Sequence, residues 1–141
     1  MNLEGKDLSD LSCPGNLSLI TILVHPENKI SIIDVRTMRY STFMPLVPPA
    51  WGQVNKGYVG LKSIFEDPTI PKYLWGVRKR AHALKTLYNV GLAGVTDLQL
   101  LEYATRSDDR THLRRLDDGV EYDAGLSYQD ADRWAETKEL D

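Results

Sequence analysis

Leu17-Ser18-Leu19-Ile20-Thr21-Ile22-Leu23-Val24, then His25-Pro26-Glu27-Asn28, then Lys29-Ile30-Ser31-Ile32-Ile33-Asp34-Val35 is the stretch on which the fold class turns. In the first run Leu17, Leu19 and Ile20 are interspersed with small hydroxyl residues before Ile22, Leu23 and Val24 close it. That is the composition of a largely buried strand. The proline and asparagine of the link supply turn chemistry, and β-branched residues fill the second run. Together they predict a hairpin.

Working outward toward the carboxyl terminus, Thr42 to Gly60 is rich in proline and glycine and predicts a loop with little regular structure. Leu61, Ile64 and Phe65 have the i, i+3, i+4 spacing of a short helix stopped by Pro68. Pro71 to Val77 fits a third strand, with Trp75 read as core. Val77, Ala81, Leu84 and Tyr88 then form one apolar helical stripe that ends at Asn89-Val90-Gly91. Thr96-Asp97-Leu98-Gln99 has capping-box spacing, with Thr96 as cap, Gln99 reaching back and Asp97 at the positive end of a helix running to about Arg106. Ser107 to Leu126 shows no clear period. Ser127 opens a last helix carrying Tyr128, Ala131 and Trp134-Ala135 on one side. Strands alternating with helices give the α/β class and predict a mixed sheet.

The 141 residues, 42% apolar and 26% charged, are the material of one globular domain rather than a disordered chain. No apolar run reaches the roughly 18 residues of a membrane span, and no basic region followed by an apolar stretch opens the chain. The expectation is a soluble intracellular protein, nuclear or cytoplasmic, without a membrane partner. Cys13 is the single cysteine, which excludes an internal disulfide and a multi-cysteine metal site and leaves a loop thiol beside Pro14-Gly15. Charge is divided unevenly. Residues 1–96 hold 11 Lys and Arg against 7 Asp and Glu, whereas residues 97–141 hold 6 against 13. The first part attracts an anionic partner and the tail repels one.

Several of these segments, taken as a series, resemble the 3′–5′ exonuclease domain of the DEDD superfamily (RNase D-like, Werner-type). The likeness starts at Asn2-Leu3-Glu4-Gly5, similar to the family's Asp-x-Glu motif, and passes through the hairpin and through Ile64 to Trp75. It is most specific in Gly94-Val95-Thr96-Asp97-Leu98-Gln99-Leu100-Leu101-Glu102-Tyr103-Ala104-Thr105-Arg106, where family members carry a similar run. The resemblance implies a ribonuclease H-like mixed sheet flanked by helices. It divides the chain into an exonuclease-like core, residues 1–106, and an acidic C-terminal segment of the same domain, residues 107–141, with one helix. In active relatives four carboxylates hold two Mg²⁺ or Mn²⁺ ions, which generate the attacking hydroxide and stabilise the leaving oxygen.

The same comparison predicts that catalysis is lost here. Asn2 stands where the first motif has Asp, leaving Glu4 as its remaining carboxylate and the one catalytic candidate. The second motif's Asp falls at Arg80, with Gly76 and His82 at the neighbouring acidic positions, and Val77 to Lys85 contains no carboxylate. Tyr128 and Asp132 have the i, i+4 spacing of the third motif but the context of a connecting segment, so that motif is expected beyond the chain. The family's apolar run before Asp-x-Glu is reduced to Met1, and the domain reads as trimmed at both ends. No metal site and no metal cofactor are therefore expected.

Nucleic-acid affinity needs less. Arg78, Lys79, Arg80 and Lys85, with His82, gather on the helix after the third strand, which faces the substrate groove in relatives. Phosphate contacts require only positive charge and donors, so a single-stranded 3′ end of DNA or RNA is the expected partner. The same residues also suit the solvated face of an amphipathic helix. Trp51 in the proline-rich loop is an exposed stacking candidate. Two other readings follow from the same residues: an active metal-dependent exonuclease when part of a longer chain, and a pseudoenzyme scaffold using the Thr42 to Gly60 loop or the acidic tail.

Overall fold

A computed structural model describes residues 1–8, 10, 12–44, 60–123 and 125–138. It is mixed α/β and divides into two compact units, Met1–Asp97 and Leu98–Asp141. No helix among the described residues is long and apolar enough to cross a membrane. The predicted loop residues 45–59, Trp51 included, lie outside the described residues.

The first unit opens with three antiparallel strands in the order β1 (Asn2–Lys6), β2 (Asn16–Val24), β3 (Lys29–Asp34). The predicted hairpin is β2 and β3. In register, Leu3 faces Ile20 and Ile20 faces Ile33, so one apolar row crosses all three strands. A bulge between Glu4 and Gly5 lets β1 follow β2 closely. A Cβ on Gly5 would lie 2.1 Å from the Asn16 carbonyl oxygen, so only glycine fits there. The second strand ends one residue earlier than predicted because Asp34 caps the next helix, α1 (Val35–Met38). Its carboxylate accepts from Thr37 N at 3.0 Å and from Thr37 Oγ1 at 2.7 Å, bonds that hold the carboxyl below its usual range. A 3-10 turn, Arg39–Phe43, follows.

Next come α2 (Leu61–Glu66), β4 (Lys72–Leu74), α3 (Val77–Tyr88) and β5 (Val95–Asp97). β4 and β5 are parallel with α3 as the crossover, a βαβ unit. The third strand is shorter than expected. Trp75 lies past its end, half-buried, and Gly76 takes a left-handed conformation at φ 68° to turn the chain into α3. The ladders form two sheets among the described residues rather than a single mixed one. Where they approach, the Met1 ammonium donates to the Tyr73 carbonyl oxygen at 3.0 Å, a terminal contact rather than a ladder rung.

The core of this unit joins Leu3, Leu17 and Ile20 of the sheet to Val35, Phe43, Phe65, Leu74, Leu84 and Val90. Each side chain as large as Leu or Phe contributes about 1.5–3 kcal/mol by leaving water. One cation is enclosed beside the parallel strands. Lys72 Nζ donates to the carbonyl oxygens of Asp67 (2.8 Å), Ile70 (2.8 Å) and Ala93 (2.9 Å), using all three of its protons. Burial lowers its pKa.

The second unit contains α4 (Leu98–Thr105), α5 (Leu116–Asp123) and α6 (Tyr128–Lys138). α4, grouped from sequence with residues 1–106, belongs to this unit. α5 arises inside the stretch that shows no period. It starts on charge rather than on an apolar stripe: Asp117 and Asp118 occupy its first turn, and the Asp118 carboxylate accepts from Arg115 N at 3.1 Å. α6 forms as predicted from Ser127, whose Oγ accepts from Asp130 N. Tyr128 and Asp132 are exposed on it. Among the described residues, the unit's buried side chains are ionic. Glu102 Oε1 lies 3.0 Å from Arg106 Nε and 3.1 Å from Arg114 Nη1, and Asp108 Oδ2 lies 2.6 Å from Arg114 Nη2.

Candidate nucleic-acid interface

Alternation along β1 sends Leu3 into the core and Asn2 and Glu4 to the opposite side. The two polar residues pair, Asn2 Nδ2 donating to Glu4 Oε1 at 2.8 Å. Glu4 is exposed. From the first turn of α3, Arg80 reaches back to this pair. Its Nη1 donates to the carbonyl oxygens of Trp75 (2.7 Å) and Gly76 (3.1 Å), and its Nη2 approaches Asn2 Oδ1 at 3.4 Å. Burial lowers the guanidinium's pKa, while the negative charges of Asp97 and Glu4 oppose that shift. Asn2, Glu4 and Arg80, far apart in sequence, are thus brought together.

Asp97 completes the arrangement in an unforeseen way. The spacing of Thr96 to Gln99 predicts a cap on α4, with Asp97 at that helix's positive end. Asp97 does stand directly before α4, but Thr96 and Asp97 lie in β5, and the Asp97 carboxylate accepts from the backbone N–H of Gly76 (3.0 Å) and Val77 (2.8 Å). It therefore caps α3, where those donors lack intrahelical partners. Parallel pairing of β5 with β4 is what carries it there, a non-local cause that no local spacing encodes. The side-chain amide of Gln99 donates to the Arg114 carbonyl oxygen at 2.7 Å, a contact inside the second unit.

The basic residues of α3 separate into three positions. Arg78 and Lys79 are exposed in the first turn, and Arg80 is turned inward. Lys85 lies two turns after Arg78 on the same side, about 10 Å along the axis. Its Nζ binds the Oδ1 of Asn89, the left-handed residue that ends the helix, at 2.8 Å. His82 is half-buried, with Nε2 3.5 Å from Thr86 Oγ1. Cys13 is exposed.

These residues do not fit a divalent ion of the kind active relatives of the resembled family carry. Such an ion takes anionic oxygen ligands, and here the Asn2 oxygen is approached by a guanidinium. Two unit charges about 4 Å apart interact by about 4 kcal/mol near a protein surface, and by about twice that when one is divalent. That repulsion offsets much of what Glu4, the single carboxylate of the pair, would supply. No group of three or more His, Cys, Asp or Glu side chains among the described residues is placed to hold a metal. No family model matches the chain, and comparison with curated proteins finds no match.

Proposed function

We propose that the first unit is a nucleic-acid-binding α/β domain that works by phosphate contact rather than by metal-dependent hydrolysis. More particularly, it is read as a degenerate 3′–5′ exonuclease-like domain of the DEDD type, with Arg78 and Lys79 as the accessible phosphate contacts. The observation that carries this is Arg80. A fixed cation, half-buried against Asn2 and Glu4, occupies the place where the resemblance expects carboxylates, and it leaves two further cations exposed on the same helical turn.

Fluorescence anisotropy with labelled single-stranded DNA and RNA is the test. Binding should be strongest at low salt. Changing Arg78→Ala together with Lys79→Ala should weaken it and reduce the slope of log affinity against log salt by about 0.7 for each phosphate that is no longer neutralised. Absence of binding at low salt would favour a protein-interaction scaffold. Trimming of a 3′ end that requires Mg²⁺ or Mn²⁺ and disappears in Glu4→Ala would show that catalysis survives.

A further inference from the structure

At the other end of α3 lies a cleft of about 500 Å³ that none of the residues discussed above as phosphate contacts enters. It is within the size range of small-molecule sites. Its rim carries Lys6 from the end of β1, Arg36 from α1 and Arg39 from the 3-10 turn. All three are exposed, and among the described residues no carboxylate lines the cleft. Among the described residues the side chains of Lys6 and Arg39 have no ion pair or hydrogen bond. The Arg36 side chain acts on Asp34 through its charge, while the Asp34 oxygens are engaged by Thr37 and by the Arg36 backbone N–H. The floor is apolar, with Leu17 and Val35 essentially inaccessible. Three cations thus converge above an apolar base from three separate elements.

Two tyrosines complete the wall. Tyr88 is fixed against Phe43 at a centroid distance of 4.7 Å, and Tyr40 stands at 5.7 Å and 68° to Tyr88. Tyr40 is 67% exposed, so the edge contact pins the ring and leaves a face open. Arg39 sits at φ 51° and ψ −130°, a conformation that costs an L side chain energy, yet arginine rather than glycine occupies it. The partial negative charge at the end of α3 would oppose an anion, but Lys62 Nζ binds the Asn89 carbonyl oxygen at 2.8 Å and the Asn89 N–H binds the carbonyls of Leu84 and Lys85.

We propose that this cleft binds a phosphorylated planar ligand of the nucleoside monophosphate class, its phosphate held by Lys6, Arg36 and Arg39 and its base laid on Tyr40. Cations alone would accept any anion, and the open aromatic face is what selects a base-bearing one, since stacking of this kind contributes about 1–3 kcal/mol. The site is independent of the exonuclease-like reading and lies at the opposite end of α3 from Arg78 and Lys79. The ligand's source is either a free nucleotide or the phosphorylated end of a strand.

Titration calorimetry of the full chain at low salt tests it, using adenosine 5′-monophosphate, adenosine, inorganic phosphate and a 5′-phosphorylated single-stranded trinucleotide. The mononucleotide should bind more tightly than adenosine or phosphate. A trinucleotide that binds more tightly than the mononucleotide assigns the site to strand ends, and the reverse order assigns it to free nucleotides. Arg36→Gln with Arg39→Gly should lower affinity about tenfold or more, and the glycine suits the φ of residue 39, so the thermal midpoint should hold. Arg36→Gln alone provides the same reading in a single exposed position. Tyr40→Ala should weaken the mononucleotide without changing phosphate. Arg78→Ala with Lys79→Ala should leave mononucleotide affinity unaltered, which separates this site from the one proposed above. The proposal is overturned if neither phosphorylated probe binds saturably, or if affinity survives the removal of Arg36 and Arg39.

Discussion

In residues 1–97 the largest fully covered side chains among those described are apolar, Phe65, Leu17, Ile20, Leu74, Leu84, Val35 and Val90. In residues 98–141 the covered side chains among those described are Arg106 and Arg114, gathered on Glu102. One unit excludes water with hydrocarbon; the other encloses opposite charges beside each other. The two solutions differ in what they tolerate. An apolar core accepts substitutions that keep its volume. A buried ionic cluster is sensitive to the removal of any one partner, because the charges left behind lose their compensation while remaining out of water.

The sharpest way to break the comparison is to attack each unit at its centre. Phe65→Ala should destabilise the first unit by about 3–5 kcal/mol, measured by denaturant unfolding, whereas Phe65→Leu should cost much less. Glu102→Gln leaves Arg106, whose side chain is only 3% exposed, and Arg114 against a neutral amide. Up to about 3 kcal/mol should be lost, read as faster amide exchange across residues 98–123 with exchange in β2 unchanged. Equal acceleration in β2 would mean that the units do not differ in the way described.

Lys72 sharpens the contrast from inside the apolar unit, where it is the ionic exception. Lys72→Met keeps the length of the side chain but strands the carbonyls of Asp67, Ile70 and Ala93, and should cost about 1–3 kcal/mol in denaturant unfolding. The smallest effect concerns exposed carboxylates common to both units. Asp34, Asp67 and Asp109 are each held below their ordinary value of 3.8, chiefly by a threonine hydroxyl two or three residues on. Their native pKa is the lower one, so their contribution is complete above the ordinary value and declines as pH falls through the native values. A shallow loss of thermal midpoint below about pH 4, flattened in Asp34→Asn and Asp67→Asn, is expected on those grounds.

Legibility in the sequence follows the same division. β2, α2 and α3 announce themselves because an apolar period is the direct trace of an apolar core, and β3 does so by its β-branched composition although Ile30 and Ile32 are exposed. α5 does not, since Leu116–Asp123 is set by acidic residues at its start, and charge leaves no period. At the candidate site, Asn2 and Arg80 are visible as departures from a motif. The inward course of Arg80 is not, because it depends on the left-handed Gly76 exposing two carbonyl oxygens. Local spacing does place Asp97 at the start of α4, but it does not show the bonds to Gly76 and Val77, which are 21 and 20 residues away in sequence. The basic cleft leaves no signal at all, since Lys6, Arg36, Tyr40 and Tyr88 come from four elements and meet only in the folded chain.

Lys72 has one more consequence, for chemistry performed on the protein. The residue is 7% exposed and every ammonium proton is committed to a carbonyl, so an acylating reagent has neither access nor a free lone pair to attack. Modification must wait until β4 and the turn before it separate. Acetic anhydride followed by peptide mass spectrometry should therefore find Lys72 acetylated far later than the exposed Lys79 and Lys85, and its rate would clock the opening of the parallel strands.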